Sequence, residues 1–457
     1  MCGIAGFIGK DAGRRTRGMI ESIRHRGPDG TGYWEGMIGS EDVALGHAHL
    51  KITGDMSQPV TQDGKAIVYN GEIYNFGEFL PGTSDTAALS SGILKDGVGG
   101  FLKYASSING EYAFAAVDSS GMILARDPVG IKPLYYGISQ DGFGFASERK
   151  ALMKAGILDI KRLTPGSVYY NGMEKTAISL PGPDPEVKDT SKAVEMLETA
   201  LAKAVKLRVH PDAAIAFSGG VDCSLIGAMA QDTPLCTVGL KCSYDIKAAT
   251  NAARMMDAEN RHIVYEMEEK DVEGILPDVI YAIESHEPVK VSIALPIFYL
   301  AREVRRSGFR VMLSGQGADE LFGGYARYEI AQEEGRLADM LGHDLRHIAE
   351  ANLERDDAAT MAHGVELRVP YLDLNVIGVS QKIDASLKVY FDGKGYIRKY
   401  ILRKMAERYL PHEISIAPKK AIQYGTSVQK VLARLARDNG FKGDLAGYFR
   451  SLYEVVF

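Results

Sequence analysis

The chain has 457 residues with 53 basic and 59 acidic side chains, for a net charge of −6. This balance offers no broad basic surface, so nucleic acid and membrane lipid are not expected as partners. Four cysteines are too few for a disulfide framework, and no apolar run reaches the roughly 18 residues of a membrane span. The first residues lack a secretory pattern, so a cytoplasmic protein is expected. Glycine is in excess at 50 residues, which indicates special turns or close approach of backbone to ligands.

Short strand-like runs separated by glycine turns fill residues 2–180, among them GIAGFIG, AIVYNGEIYNF and YAFAAVD. Their period of two predicts antiparallel sheet. The proline-rich stretch LPGPDPEVK begins at Leu180, and residues 181–190 are interpreted as a linker. From 191 to 457 the pattern changes, because a helix and then alternating strands and helices follow. Strands predicted at 213–217, 235–240, 263–267 and 310–314 indicate a parallel α/β sheet with ligands at its carboxyl ends, followed by a mostly helical C-terminal part.

The sequence SGGVDCS, residues 218–224, stands between a predicted strand and a helix. Two glycines there allow backbone N–H groups to converge on an anion such as phosphate, although an ordinary helix-capping turn is an alternative. Asp222 within such a loop suggests a bound Mg²⁺. A second glycine-rich loop, GQGADELFGGY, follows the strand at 310–314 and carries Asp319 and Glu320. Both loops together predict a site for Mg²⁺-triphosphate.

The motifs SGGVDCS, LSGQGADELFGGYARY and MAHGVELRVPYLD resemble the synthetase domain of the asparagine synthetase family. The resemblance implies an ATP-pyrophosphatase-type domain that adenylates a carboxylate, releases pyrophosphate and lets ammonia displace AMP. It implies Mg²⁺ carboxylates at Asp222 and Asp319, and a catalytic lysine at Lys419, with Lys420 as the competing assignment. The implied ATP-binding residues are Phe217, Ser218, Gly219, Gly220, Asp222, Cys223, Ser224, Val238, Ser314 and Gly315.

Two positions of this domain depart from the family pattern. Cys223 replaces the usual serine, which preserves the backbone cradle. Gln316 stands where the family usually has a catalytic glutamate, and glutamine cannot serve as a base. Either Gln316 positions the nucleophile by hydrogen bonding, or another carboxylate moves the proton.

Cys2 becomes the first residue if the initiator methionine is removed. Its α-amino group, with a reference pKa of about 7.7–8.0, could then accept the thiol proton, although an incidental early cysteine is the alternative. The ordered motifs CGIAGFIG, RHRGPDG, YNGEIYN, SDTA, RDPVGIKPLYY and FASERKAL resemble the class II glutamine amidotransferase domain. This resemblance implies an α+β N-terminal-nucleophile hydrolase fold, a four-layer sandwich.

The same resemblance assigns roles around Cys2, which attacks the glutamine amide. Asn70 and Gly71 correspond to the oxyanion hole, and Glu72 and Asp85 to the residues that hold the glutamine α-amino group. The implied glutamine-binding set is His49, Thr53, Asn70, Gly71, Glu72 and Asp85. His49 replaces the arginine that grips the α-carboxylate, so weaker glutamine binding is expected.

Together the two resemblances predict a glutamine-hydrolysing asparagine synthetase with glutamine, aspartate and ATP as substrates and Mg²⁺ as cofactor. Two alternatives stay open, namely a relative that amidates a different carboxylate and a catalytically weakened sensor of glutamine or ATP. Cyclising relatives are disfavoured because they typically lack the cysteine nucleophile. A homodimer is one of the assemblies left open.

Overall fold

The computed structural model describes residues 2–54, 56–78, 82, 84–170, 172–418 and 421–457. The chain divides into two compact units. The first comprises Met1–Leu180 together with Ala349–Gly364, and the second comprises Pro181–Ile348 and Val365–Phe457. The range predicted for the second domain, 191–457, includes Ala349–Gly364, whereas this segment groups with the first unit. None of the helices in the described part of the chain is long and apolar enough to cross a membrane.

Two six-stranded antiparallel sheets form the first unit. Their strand orders are β10-β8-β9-β1-β3-β2 and β12-β11-β7-β6-β5-β4. The elements are β1 (Gly3–Gly9), α1 (Ala12–Ser22), β2 (Gly30–Ile38), β3 (Glu41–His49), β4 (Val60–Gln62), β5 (Lys65–Ile73), α2 (Asp85–Tyr104), β6 (Gly110–Asp118), β7 (Gly121–Arg126), β8 (Tyr135–Ser139), β9 (Gly142–Ala146), α3 (Arg149–Lys154), β10 (Ile160–Arg162), β11 (Ser167–Tyr170) and β12 (Met173–Thr176).

Three apolar layers hold these elements together. Phe7 packs with Met19 of α1 on the outer face of one sheet, and Ile4 packs with Val68 between the two sheets. The next residue after Val68, Tyr69, points to the opposite face and packs against α2, as the period of two in a strand requires. The arrangement is therefore helix, sheet, sheet, helix, which confirms the four-layer fold expected from the sequence.

The second unit is built on a five-stranded parallel sheet with the order β15-β14-β13-β16-β17. Its elements, with the inserted helix α12 of the first unit, are α4 (Thr190–Arg208), β13 (Ala213–Ala216), α5 (Val221–Met229), β14 (Leu235–Leu240), α6 (Tyr244–Met255), β15 (His262–Met267), α7 (Glu269–Ile283), α8 (Pro288–Arg306), β16 (Val311–Leu313), α9 (Ala318–Phe322), α10 (Arg327–Glu333), α11 (Leu337–Ile348), α12 (Glu354–Met361), β17 (Glu366–Arg368), α13 (Leu374–Lys382), β18 (Val389–Phe391), β19 (Tyr396–Arg398), α14 (Tyr400–Ala406), α15 (His412–Ser415), α16 (Ile422–Gly425), α17 (Val428–Asp438) and α18 (Leu445–Val456). The parallel sheet and C-terminal helices are confirmed.

The strand order of this sheet fixes where a ligand can bind. The chain runs from β13 outward through β14 to β15, and then returns to the other side of β13 with β16 and β17. In open parallel sheets the crevice at such a reversal, beyond the carboxyl ends of the strands, is the usual binding place. Here it lies between the loop after β13 and the loop after β16, which are the two glycine-rich loops of the sequence.

Candidate active sites

Cys2 lies immediately before β1 and is buried. Its backbone N–H donates to Asn70 Oδ1 at 2.9 Å. Asn70 lies within β5 and has no solvent exposure, and its Nδ2 group has no hydrogen-bond partner among the described residues. An unsatisfied buried donor typically costs about 1–3 kcal/mol. The Asn70 amide therefore has a donor available for a ligand beside Cys2, as an oxyanion hole requires.

Gly71 follows Asn70 in β5 and adopts a φ of +153°. A Cβ atom at this position would lie 2.0 Å from the backbone oxygen of Glu111. Only glycine therefore fits at this position between β5 and β6. Its backbone directly follows that of Asn70 in the same strand. Glu72 is the next residue of the same strand and is partly exposed.

Asp85 is the first residue of α2 and is tied to β5. Its Oδ2 accepts hydrogen bonds from the Tyr69 hydroxyl at 2.9 Å and from Ile73 N at 3.2 Å, and its Oδ1 accepts one from Thr86 N at 2.7 Å. The carboxylate therefore joins the start of α2 to the strand that carries Asn70. These bonds show an architectural use of Asp85 beside the substrate-binding role that the sequence predicts for it.

His49 and Thr53 lie at and beyond the end of β3. The His49 ring is 5.2 Å from the ring of His47, and Thr53 is exposed. Burial, aided by the neighbouring His49, lowers the pKa of His47 to about 3, so this fully buried imidazole is neutral. The structure thus brings Cys2 and Asn70 into contact, sets Gly71 and Glu72 beside them, and links Asp85 to the same strand.

The loop after β13 runs through Phe217, Ser218, Gly219 and Gly220 into α5. Gly219 has a φ of +75°, and a Cβ there would approach the backbone of Ala248 to 2.7 Å. Gly220 caps the helix without any side-chain hydrogen bond, so the first N–H groups of α5 are left for a ligand.

Cys223 closes this loop on itself. Its Sγ accepts from Ser218 N at 3.3 Å and donates to the Gly220 oxygen at 3.3 Å. Burial raises the pKa of Cys223, so it remains a neutral thiol. The next residue, Ser224, has a fully buried hydroxyl without a hydrogen-bond partner among the described residues. The loop therefore keeps its shape through the cysteine and retains an unused donor for an anion.

Asp222 and Asp319 converge on one lysine, Lys399, which is not among the residues predicted from the sequence. Lys399 Nζ lies 2.5 Å from Asp222 Oδ2 and 2.7 Å from Asp319 Oδ1, and the lysine side chain is only 3% exposed. Lys399 precedes α14 and is distant in sequence from both glycine-rich loops. Nothing in the local sequence distinguishes it from other lysines, so only the fold identifies it as part of this site.

Two carboxylates suit Mg²⁺ held partly by phosphate. Asp222 Oδ1 is buried without a hydrogen-bond partner among the described residues. Among all the residues that the structure describes, no group of three or more His, Cys, Asp or Glu side chains is suited to hold a metal ion. Mg²⁺ typically takes one or two carboxylates and completes its shell with water and substrate phosphates. Asp222 and Asp319 therefore fit a metal that arrives with a nucleotide.

The remaining predicted nucleotide residues line the same strand ends. Phe217 and Val238 are buried after β13 and within β14, and Thr237 Oγ1 donates to the Phe217 oxygen at 2.6 Å. Ser314, Gly315 and Gln316 follow β16 on the other side of the crevice. A Cβ on Gly315 would lie 3.0 Å from Asp222 Cβ, so glycine lets the two loops approach.

Gln316 and the predicted catalytic lysine complete the set. Gln316 N donates to Ser314 Oγ at 3.3 Å, within the loop after β16. Lys419 and its alternative Lys420 lie outside the described residues. An open cavity beside the loop after β13 is lined by Ser218, Gly219, Gly220, Asp222, Lys399, Arg398 and Arg403, among others. Its acidic and basic groups suit a phosphorylated or carboxylated ligand.

The two units thus combine an N-terminal cysteine site with a nucleotide-type site, which defines a glutamine amidotransferase joined to an ATP-using synthetase. The glutamine amidotransferase domain model matches residues 1–171. The asparagine synthase model matches residues 196–342 and 331–451. The chain belongs to the asparagine synthetase family.

Full-length relatives agree with this assignment. A protein of Methanocaldococcus jannaschii named as a glutamine-hydrolyzing asparagine synthetase is 32% identical, covering 96% of each chain. Asparagine synthetase 2 of Arabidopsis thaliana is 30% identical over 93% of this chain and 79% of its own length. Asparagine synthetase B of Escherichia coli is 29% identical over 93% of this chain and 82% of its own length.

Proposed function

We propose that this protein converts aspartate to asparagine, using ammonia from glutamine and adenylation by ATP. The observation that carries the proposal is that one chain holds both the Cys2–Asn70 pair and the Asp222–Lys399–Asp319 cluster beside a phosphate-type loop. Aspartate as the acceptor rests on the relatives, whose names specify asparagine synthetase.

In the first unit, removal of Met1 would free the Cys2 α-amino group to accept the thiol proton. The thiolate attacks the glutamine carboxamide carbon, and Asn70 Nδ2–H with the Gly71 N–H stabilises the resulting oxyanion. As the intermediate collapses, the α-ammonium group returns its proton to the leaving nitrogen, so that ammonia departs and a thioester remains. Water then hydrolyses the thioester to glutamate and the free thiol. Each oxyanion donor is typically worth about 2.7–4 kcal/mol in the transition state.

In the second unit, the N–H groups at the start of α5 and the Ser224 hydroxyl would bind the phosphates of ATP. The acceptor carboxylate attacks the α-phosphorus and pyrophosphate leaves. Ammonia then attacks the acyl carbon and AMP departs. Mg²⁺ held through Asp222 and Asp319 would neutralise phosphate charge, and Lys399 would then be released from its carboxylate partners to face the nucleotide.

Isotope tracing tests the proposal. The protein is incubated with ATP, Mg²⁺, amide-¹⁵N glutamine and a panel of amino acids, while AMP, pyrophosphate and labelled products are measured. Labelled asparagine with equal AMP and pyrophosphate is expected. Label in another amide would instead establish a different acceptor, and ADP in place of AMP would exclude adenylation. Cys2→Ala should retain synthesis with added ammonia and lose synthesis with glutamine.

A further inference from the structure

The segment Ala349–Gly364 belongs to the first unit although it follows most of the second unit in sequence. It contains a π-helix, Ala349–Leu353, and then helix α12. The first four residues of α12, Glu354–Asp357, are all charged and all buried. Buried charges are costly unless they are paired, so the partners of this run show what the segment does.

Two acids of α12 neutralise arginines of the first unit. Glu354 Oε1 lies 2.6 Å from Arg162 Nε and 3.1 Å from Arg126 Nη2. Asp357 Oδ2 lies 2.9 Å from Arg26 Nη2, and the Arg26 side chain has no solvent exposure. Removing either acid would leave positive charge without its partner carboxylate. The arginines paired with Glu354 and the arginine paired with Asp357 differ, however, in the other groups that they contact.

Arg26 connects Asp357 to the nucleophile. Its Nη1 donates to Glu148 Oε1 at 2.9 Å, and its Nε donates to the backbone oxygen of Cys2 at 3.2 Å. Nε and Nη1 of the guanidinium are therefore hydrogen-bonded, while Nη2 lies against Asp357 as an ion pair without hydrogen-bond geometry. The two hydrogen bonds orient the group, and the Asp357 charge draws its third nitrogen away from Glu148. Since Cys2 N is bound by Asn70, the backbone of Cys2 is held at both ends.

Glu148 alone is a poor substitute for Asp357. Its carboxylate is shared with His25 at 3.1 Å and with Lys150 at 2.7 Å. Without the charge on Asp357, Arg26 would turn towards Glu148, and the Nε hydrogen bond to Cys2 would lengthen. A displacement of about 1 Å in a reacting group can cost roughly 100-fold in rate.

We propose that Asp357 is a positioning residue for Cys2, acting through Arg26, so that the amidotransferase site depends on a segment from the second half of the chain. The inference rests on the proposed role of Cys2 in glutamine hydrolysis. It extends that role, because neither the loop around Cys2 nor its motif contains Asp357.

Glu354 offers a matched control. It is a buried acid of the same helix and pairs with two arginines. The other donors of Arg126 go to the backbone oxygens of Lys132, Leu163 and Gly130 rather than to Cys2. Glu354→Gln should therefore destabilise the unit as Asp357→Asn does, without disturbing the nucleophile.

The experiment compares full-length wild type, Asp357→Asn, Asp357→Glu and Glu354→Gln. Glutaminase kcat and KM, thermal unfolding, and the pH profile of Cys2 alkylation are measured, the last by mass spectrometry of the N-terminal peptide. We expect Asp357→Asn to lower kcat by about tenfold to 100-fold, with KM little changed and the alkylation profile shifted. Asp357→Glu should recover most of the loss, and Glu354→Gln should lower the unfolding temperature alone.

Other outcomes separate the inference from the proposed function. Equal kcat losses for Glu354→Gln and Asp357→Asn at matched unfolding temperatures would overturn the positioning role, as would an unaltered Asp357→Asn. If Asp357→Asn does not fold, Arg26→Lys replaces it, because lysine keeps the charge and loses the Nε donor. If wild type hydrolyses no glutamine, the proposed function fails, while the alkylation profile still decides whether Asp357 positions Cys2.

Discussion

Lys399→Met provides a direct test of the nucleotide-type site. The substitution preserves most of the side-chain volume and removes the cation that bridges Asp222 and Asp319 at 2.5 and 2.7 Å. The two carboxylates, whose side chains are only 20% and 14% exposed, would then face each other without the cation that bridges them. Removing one partner of a buried ion pair typically costs about 3–5 kcal/mol, and the partial exposure of the acids favours the lower end.

Hydrogen–deuterium exchange measures this loss locally. A cost of about 3 kcal/mol corresponds to roughly 100-fold to 200-fold faster exchange where local opening exposes the two acidic loops. The difference in exchange rate between Lys399→Met and wild type should become smaller at acidic pH, because protonation of one carboxylate removes the repulsion between the two acids. It should also narrow in millimolar Mg²⁺, which would bind the paired acids more tightly in the variant than in wild type.

A matched substitution controls for general damage. Lys404→Met lies in α14, the helix that Lys399 precedes, and removes a partly exposed lysine that pairs with the exposed Glu407 and lies over the Tyr400 ring. Exposed pairs contribute about 0–1 kcal/mol, so little change is expected. If Lys399→Met exchanges as slowly as Lys404→Met, or if Mg²⁺ leaves its exchange unaltered, the assignment of Asp222 and Asp319 to a common cation site is wrong.

Three further results are expected. Asn70→Asp keeps the acceptor for Cys2 N and removes the Nδ2 donor, so glutaminase kcat should fall about 10²–10³-fold in a glutamate-release assay, with ammonia-dependent synthesis retained. Ser224→Ala removes a buried hydroxyl that has no hydrogen-bond partner in the described part of the chain, so KM for ATP should rise while the free energy of unfolding changes by less than about 1 kcal/mol. Burial lowers the pKa of His47 to about 3, from about 6.5 in the unfolded chain. The stability contributed by neutral His47 is therefore fully present above pH 6.5 and is lost as the pH falls towards 3. Denaturation at a series of pH values should show a flatter dependence of the free energy of unfolding on pH in this range for His47→Gln.

The parts of each site that depend on local backbone could be predicted from the sequence. Strand β14 has the predicted bounds, Leu235–Leu240, and the glycine loops after β13 and β16 face one crevice. Glycine occurs at these places because the local backbone needs a positive φ there, as at Gly71 and Gly219, and this need depends only on the residue itself. By contrast, helix α2 was missed, because its several glycines lower helix propensity and packing against Tyr69 outweighs that cost.

The charged residues that complete the sites could not be predicted in the same way. Lys399 and Asp357 act on groups far away in sequence, and neither stands in a glycine-rich motif. A buried charge must nonetheless have a partner. The fold determines which residue becomes that partner, and the residues next to it in the sequence do not. Residues that only neutralise charge and residues that also orient a reacting atom therefore have the same pattern in a sequence. Glu354 and Asp357 show the distinction, because both pair with buried arginines, but only the arginine bound by Asp357 also holds Cys2.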